Sequence, residues 1–358
     1  MSGKEKYLTL DALIERDARF AIYRLPGEQV PRFAMQTDGE DPLLLNDIEE
    51  LNGQHGFVIA PFRITASSPL ILIRPDCTDL CEVNTCFEDR KRGKTDTEIQ
   101  KKNIKSDYSL LFQRFHKPLL TGEMEKLVLS RTRTMERAAA FSPGQSFFRA
   151  AEKYPRSFVY LLHTPQSGTW LGSTPEILLA GSGNEWQTVA LAGTRYPDSG
   201  NVSWDDKNLR EQHLVTSYIL KQLTSFQLAP EINGPYTIKA GALAHLRTDF
   251  RFFLPDKREI GTLLKALHPT PAISGLPKEK AFQFIADHEG YDRSYYTGFL
   301  GILDPSAETN LYVNLRCMQI GESRLTLYAG SGLLASSTCR DEWEETEQKL
   351  KTMASIVK

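Results

Sequence analysis

The sequence predicts an α+β protein whose sheets are largely antiparallel. Three observations carry that expectation. Short apolar runs recur with turn residues between them, as at Phe158 to His163 and Thr169 to Gly172 around Pro165-Gln-Ser-Gly168, which reads as a hairpin. Stretches with apolar residues at helical spacing are segregated from those runs rather than alternating with them. No strand leads into a glycine-rich phosphate loop, so no βαβ nucleotide-binding unit is indicated.

Along the chain, Leu10-Asp-Ala-Leu-Ile-Glu-Arg16 is a short amphipathic helix, followed by strand-like pieces at Phe20 to Tyr23, Gly56 to Ala60 and Leu70 to Ile73. Between Glu88 and Asp107 twelve of twenty residues are charged, seven basic against five acidic. That near-balance marks an exposed loop or solvated helix joining two parts of the chain, not a DNA-binding patch. Lys126 to Arg131 then reads as a strand, and Ser142-Pro143 caps a helix running to about Lys153. After the hairpin, Glu185 to Leu191 is a strand and Trp204 to Phe226 a long helix. Further strands fall at Tyr236 to Ala240, Tyr295 to Leu303, Leu311 to Met318 and Arg324 to Ala329. Helices fall near Gly261 to Leu267, Lys278 to His288 and Asp341 to Val357. There is no internal repeat. One domain over 1–358 is expected, with a more variable part at 1–107 and the motif-bearing part from about 108 to 358.

Composition narrows the function classes. The 358 residues carry 43 Lys plus Arg against 45 Asp plus Glu, a net charge of −2. A nucleic-acid binder would show a basic surplus or stripe. The longest apolar runs, such as Leu70-Ile-Leu-Ile73, fall far short of the ~20 residues a membrane helix needs. The N-terminus has no signal-peptide apolar core, and five cysteines is an odd count suited to a reducing compartment, so a cytoplasmic protein is expected. Cys77, Cys81 and Cys86 lack the two-residue spacing of a zinc site and read as ordinary thiols. No sustained heptad offers a coiled-coil partner, and a monomer is expected.

Two helices carry the chemistry. Val215, Ile219, Leu223 and Phe226 form the buried stripe of the long helix, and one turn back from Val215 lies Glu211. A carboxylate continuing an apolar face is costly unless it is paired, protonated or metal-bound. A salt bridge and a metal ligand are equal readings of it. On the last helix Glu342, Glu345 and Lys349 sit at i, i+3 and i+7. They form either a solvated face with a Glu345–Lys349 pair or, with Glu211, the carboxylate pair of a hard-cation site. If Glu211 and Glu345 share such a site, removing either should relieve repulsion and raise the stability of the metal-free protein.

Two strand ends, Leu191-Ala-Gly193-Thr194 and Ala329-Gly330-Ser331-Gly332, offer backbone N–H groups to an anion or simply bend. Arg316, at a strand end, suits a carboxylate or is a surface arginine. Lys126 opens an apolar strand and Glu176 follows Pro175 at a turn. A lysine moved out of water suits a base, and a carboxyl in an apolar pocket suits an acid.

Eight stretches, in order, resemble the chorismate-utilising enzymes on their isochorismate synthase side: Lys126-Leu-Val-Leu-Ser-Arg131, Gly172-Ser-Thr-Pro-Glu176, Ala190-Leu-Ala-Gly-Thr194, His268-Pro-Thr-Pro-Ala272, Asp292-Arg293 through Tyr296-Thr-Gly298, Asn314-Leu-Arg316, Ala329-Gly-Ser-Gly332 and Glu342-Trp-Glu-Glu-Thr-Glu347. They cover about 120 to 358. The resemblance implies a layered sandwich with two antiparallel sheets inside and helices outside. It also implies roles. Lys126 would activate water for attack on C2 of chorismate, and Glu176 would protonate the departing C4 hydroxyl. Glu211 and Glu345 would hold Mg²⁺, with Glu342 in its outer shell. Arg316, Tyr296 and the Gly330 and Gly332 backbone would hold the pyruvyl carboxylate, with Lys349 and Thr194 nearby.

The chain departs from the family's Lys-Glu-x-x-Glu-His pattern, which here is Lys207-Asn208-Leu-Arg-Glu211-Gln212. Asn208 stands where a carboxylate near the metal is usual and is expected to accept from metal-bound water, at some cost in metal affinity. Ala192, where aminodeoxychorismate synthases often carry a lysine, together with Lys126 favours water as nucleophile and no amidotransferase subunit. Isochorismate is the expected product, destined for menaquinone or siderophore synthesis. Salicylate synthase is the runner-up, ahead of an inactive binding homologue.

Overall fold

The computed structural model describes residues 3–83, 104–195, 202–241 and 243–357. Cys86 and most of the charged stretch from Glu88 lie outside them. In chain order the elements are α1 (Gly3–Glu15), β1 (Arg19–Arg24), β2 (Arg32–Gln36), β3 (Leu43–Leu45), β4 (Gly56–Ala60), β5 (Leu70–Ile73), α2 (Ile104–Leu120), β6 (Lys126–Glu136), α3 (Pro143–Lys153), β7 (Phe158–Thr164), β8 (Gly168–Thr174), β9 (Ile177–Ser182) and β10 (Glu185–Arg195). They continue with α4 (Asp206–Ser225), β11 (Glu231–Ala240), β12 (Leu243–Phe253), α5 (Ile260–Leu267), β13 (Gly275–Leu276), α6 (Lys278–His288), β14 (Phe299–Leu303), β15 (Glu308–Val313), β16 (Cys317–Ile320), β17 (Arg324–Leu333) and α7 (Cys339–Ala354).

The strands form two sheets. An eight-stranded sheet runs β13-β6-β17-β16-β8-β7-β1-β2, and a nine-stranded sheet runs β11-β12-β10-β9-β15-β14-β4-β5-β3. Every pairing in them is antiparallel. Side-chain parity shows how they stack, because successive strand residues point to opposite faces. On β4, Phe57 and Ile59 join Tyr23, Phe158, Tyr160 and Trp170 in the core between the sheets. Val58 and Ala60 point the other way, onto Val215 and Ile219 of α4 and Leu263 and Leu264 of α5. On β1, Ala21 and Tyr23 face the inter-sheet core while Phe20 and Ile22 pack beneath α1 and α3. Both faces of each sheet are covered. Burying one such Phe, Ile or Val contributes about 1.5–3 kcal/mol.

The expected fold class and most elements are present, and the Ser142-Pro143 cap forms as read: Ser142 accepts from the Gln145 N–H with Pro143 in the first turn of α3. Asp205, which that reading did not single out, accepts from the Asn208 N–H at the start of α4. Two expected strands are corrected. Leu311 to Met318 is two strands, β15 and β16, in different sheets, broken at Asn314-Leu-Arg316. Tyr295 and Tyr296 lie in a turn before β14 rather than in a strand. The sequence reading passed over β9 and β12. In β9 Leu178 and Leu179 are both buried and no polar alternation marks the strand. β12 does alternate, His245, Arg247, Asp249 and Arg251 against Leu246, Phe250 and Phe252, a signal that reading did not use.

These breaks weld the sheets together. The chain passes from β8 in one sheet to β9 in the other through Pro175-Glu176, and returns from β15 to β16 through Asn314-Leu-Arg316. The two crossings lie side by side: Val313 N–H donates to the Glu176 carbonyl (2.9 Å) and Ser173 N–H to the Arg316 carbonyl (3.1 Å). The Thr174 hydroxyl adds a bond to the Val313 carbonyl (2.7 Å). Glu176 and Arg316, both singled out from the sequence, thus sit on adjacent rungs of one corner.

Candidate active site

A cleft opens at this corner, between the sheets and the starts of α4 and α7. Nine of the eleven residues singled out from the sequence line it: Glu176, Thr194, Glu211, Tyr296, Arg316, Gly330, Gly332, Glu345 and Lys349. Lys126 sits just beneath, with no solvent exposure. Its Nζ lies 2.8 Å from Glu211 Oε1, an ion-pair contact that does not have hydrogen-bond direction. Glu342 is not among the lining residues. It is 1% exposed, and its Oε1 accepts from Lys207 Nζ at 2.5 Å. One turn further along α7, Glu345 does face the cleft, where Lys349 Nζ donates to it at 2.6 Å and to the Gly330 carbonyl at 2.9 Å.

Each of the three carboxylates therefore has its own lysine. Burial disfavours the charged Glu345 carboxylate, but the Lys349 and Lys207 ammoniums outweigh it and hold its pKa below the usual range. Burial and the neighbouring Glu345 keep Glu342 above that range despite Lys207. Lys207 itself is pushed above the ordinary lysine value, since Glu342, Glu211 and Glu345 overcome its desolvation. These pairs weigh against the expectation that removing Glu211 or Glu345 relieves repulsion: without Glu211 the fully buried Lys126 loses its counter-charge, whereas without Glu345 the part-buried Lys349 keeps the Gly330 carbonyl.

Glu176 differs. It is 3% exposed, and among the described residues no ion pair reaches it. Burial pushes its pKa up to about 8, with the charges of Lys126, Lys349 and Arg316 acting only partly against that. Glu176 is thus a protonated acid at neutral pH.

The glycines are spatial necessities. A Cβ at Gly332 would stand 2.1 Å from Glu211 Oε1 and 3.0 Å from Lys126 Cε, so the carboxylate occupies the place of a side chain. A Cβ at Gly330 would stand 3.0 Å from the Tyr296 hydroxyl. Arg316 and Thr297, both on the cleft wall, hold left-handed backbone with φ of 48° and 60°. Non-glycine residues adopt that conformation only where their surroundings enforce it.

His245, in β12, was not singled out from the sequence. Its Nδ1 lies 2.8 Å from the Gly193 carbonyl and so carries the proton. Its Nε2 then accepts from Arg316 Nη2 at 3.0 Å. Burial, with the Arg316 and Lys349 charges, pushes its pKa down to about 3, so the ring is neutral and aims the guanidinium. A lone histidine in an apolar strand carries no sequence signal of such a role. Asn208 and Gln212, at the two departures on α4, each reach β10. Asn208 Oδ1 accepts from the Thr194 N–H (3.2 Å), and Gln212 holds the Ala192 N–H (2.9 Å) and the Ala190 carbonyl (3.1 Å). Both fasten α4 to β10 and neither lines the cleft.

The donor set suits a hard cation. Glu211 and Glu345 present oxygens from two helices, and Gly332 leaves the room Glu211 needs. Among the described residues no three Asp, Glu, His or Cys side chains converge into a cage. Magnesium typically takes only one or two protein carboxylates and completes its shell with water and substrate oxygens, so two suffice.

Two antiparallel sheets wrapped by helices are also the fold of solved structures described as isochorismate synthases. The structure of a putative 2,3-dihydroxybenzoate-specific isochorismate synthase, DhbC, from Bacillus anthracis superposes with a TM-score of 0.80 at 23% identity, over 99% of both chains. That of the menaquinone-specific MenF from Escherichia coli gives 0.78 at 21%, over 98% of this chain and 91% of MenF. In sequence, the isochorismate synthase EntC of Escherichia coli (strain K12) is 33% identical over 248 residues, 66% of this chain and 63% of EntC. MenF of the same strain is 29% identical over 272 residues, 74% of this chain and 63% of MenF. The match thus spans less than two thirds of either curated relative. A family model described as "Chorismate binding enzyme" matches residues 76–358. The chain belongs to that family. Among the described residues no helix is long and apolar enough to cross a membrane.

Proposed function

We propose that this chain converts chorismate to isochorismate by adding water at C2 and releasing the C4 hydroxyl. The observation that carries the reading is Glu176: a carboxyl that keeps its proton at neutral pH, on the wall of a cleft underlain by a buried lysine. A protonated acid and an amine base are what an exchange of hydroxyls requires, one to deliver a proton and the other to remove one. In this mechanism Lys126 must first give up the proton that pairs it with Glu211, and as the neutral amine it takes a proton from the attacking water as its oxygen bonds to C2. Glu176 gives its proton to the C4 oxygen as that bond breaks and the ring double bond shifts. Water enters and water leaves, so the enolpyruvyl ether is untouched and the reaction is reversible.

Arg316, aimed by His245, and Tyr296 hold the pyruvyl carboxylate against the Gly330 and Gly332 backbone, with Lys349 and Thr194 at its side. Glu211 and Glu345 would hold magnesium, with Glu342 behind them. When bound, the ion supplies positive charge to the ring carboxylate. Ala192 supports water as nucleophile, since its methyl lines the cleft where an attacking lysine would have to stand. The relatives' names, EntC, MenF and DhbC among them, support the same product.

The test is direct. Chorismate and Mg²⁺ alone, without glutamine, ammonia or another subunit, should give isochorismate and reach one constant ratio from either isomer. Stoichiometric salicylate and pyruvate would move the assignment to salicylate synthase, and an amine-bearing product would overturn the role of water.

A further inference from the structure

We infer that Asn314, which lies outside the cleft, is the positioning residue that sets the spacing of Tyr296 and Arg316 and thereby the affinity for a substrate carboxylate. The inference deepens the chorismate reading and rests on it.

Asn314 has no solvent exposure and does not line the cleft. It lies two residues before Arg316, at the crossing from β15 to β16, and all four of its polar groups are engaged. Its N–H donates to the Gly298 carbonyl (2.8 Å) and its carbonyl accepts from the Thr297 N–H (2.9 Å). Its side-chain Nδ2 donates to the Tyr295 carbonyl (2.8 Å), and its Oδ1 accepts from the Tyr160 hydroxyl (2.5 Å). A carbonyl can only accept, so the amide orientation is forced. One residue thus binds the Tyr295-to-Gly298 turn, which carries Tyr296, to the Asn314-to-Arg316 crossing, which carries Arg316.

Three further features converge on this clamp. Thr297 and Arg316, on either side of it, are the two non-glycine cleft residues with left-handed backbone. Such conformations persist only where neighbouring bonds over-determine them, and the Asn314 bonds supply that constraint. Tyr160, on β7, is fully buried. A Cβ at its strand partner Gly172 would stand 2.6 Å from its ring and 2.8 Å from its hydroxyl, so Gly172 makes the room that lets this hydroxyl reach Asn314. Gly298 is equally constrained, since a Cβ there would meet the Ala60 carbonyl at 1.9 Å. The chain Tyr160–Asn314–Tyr295 is therefore a tie between the sheets that fixes the two backbone segments carrying Tyr296 and Arg316 from outside the cleft.

The test measures chorismate binding by titration calorimetry, and kcat and KM separately, on folded protein verified by circular dichroism. Asn314→Ala should raise Kd and KM at least ~10-fold, with kcat per folded molecule changed less than ~3-fold. Tyr160→Phe, which leaves the Tyr295 bond in place, should raise both ~3-fold. The double variant should be no worse than Asn314→Ala, because both act through one residue. Unchanged Kd in folded Asn314→Ala, or a proportional fall of kcat at constant KM, overturns the positioning role. If Asn314→Ala does not fold, Tyr160→Phe decides, and wild-type affinity there overturns it. Wild-type protein that binds no chorismate sinks the functional reading and this inference with it. Wild-type binding with insensitive variants sinks the inference alone.

Discussion

At the helical end of the cleft Glu211, Glu345 and Glu342 each meet a lysine within 2.8 Å, whereas at the sheet corner Glu176 meets none. The residue type is the same, yet the titration is opposite at the two cleft-facing positions with resolved shifts. Burial disfavours the charge of both Glu345 and Glu176, but Lys349, 2.6 Å from Glu345, reverses the outcome there. Between these two positions the contacting ammonium, rather than depth alone, decides which carboxyl is an ion and which an acid, whereas at Glu342 burial and the adjacent Glu345 outweigh Lys207. The helical end keeps charged oxygens available for exchange with a cation, and the sheet corner keeps a proton.

The largest effect should come from breaking the helical end. Glu211→Gln or Glu345→Gln, or a chelator on the wild type, should cut turnover on the order of 10³-fold, since bound metal supplies several kcal/mol of charge stabilisation. Full activity in chelator would remove the cation from the mechanism. Next, Lys126→Ala and Glu176→Gln should each cost at least ~10²-fold in kcat. Either variant with near-normal turnover and unchanged substrate binding is not a proton carrier.

Stability sharpens the contrast. Glu211→Gln leaves fully buried Lys126 without its counter-charge and should lower unfolding free energy by about 3–5 kcal/mol in chelator. A gain, measured by denaturant titration, would mean that the two cleft carboxylates repel more than their lysines hold. The pH dependence should differ as well. The Glu176 pKa rises on folding from 4.5 to about 8, so the folded state binds the extra proton in that interval. Its contribution to stability is full below about pH 4.5 and declines as pH rises to about 8, by a few kcal/mol in all. Glu176→Gln should flatten that slope, and kcat/KM of the wild type should fall as pH rises through about 8. The smallest effect belongs to Glu345→Gln in chelator. This pair is 15–18% exposed and its loss should cost only about 1 kcal/mol.

The sequence carried the acids, the lysines and the glycines because each breaks a local rule. A carboxylate extends an apolar stripe at Glu211, and a lysine opens an apolar strand at Lys126. Other parts left no local trace. His245 is one polar residue among buried neighbours, and its role depends on an arginine 71 positions away. Lys207 reads as a surface charge until Glu342 appears 135 residues later. The break at Asn314 leaves only a faint trace, because this single strand-depleted residue stands between strand-forming Leu311-Tyr-Val313 and Cys317-Met318. Only the second sheet across the gap makes the chain turn there.

The paired crossings at the sheet corner also govern how the chain is made. β1 waits for β7 more than a hundred residues downstream, β4 waits for β14, and β6 completes its ladder only with β17. Such long-range pairings raise contact order and slow folding. During synthesis the nine-stranded sheet lacks β15 until residue 313 is made and the eight-stranded sheet lacks β17 until residue 333, so Glu176 and Arg316 reach adjacent rungs only with these late strands. A nascent chain stopped before β17 exposes strands that belong in the centre of a sheet, and is a natural client for chaperones.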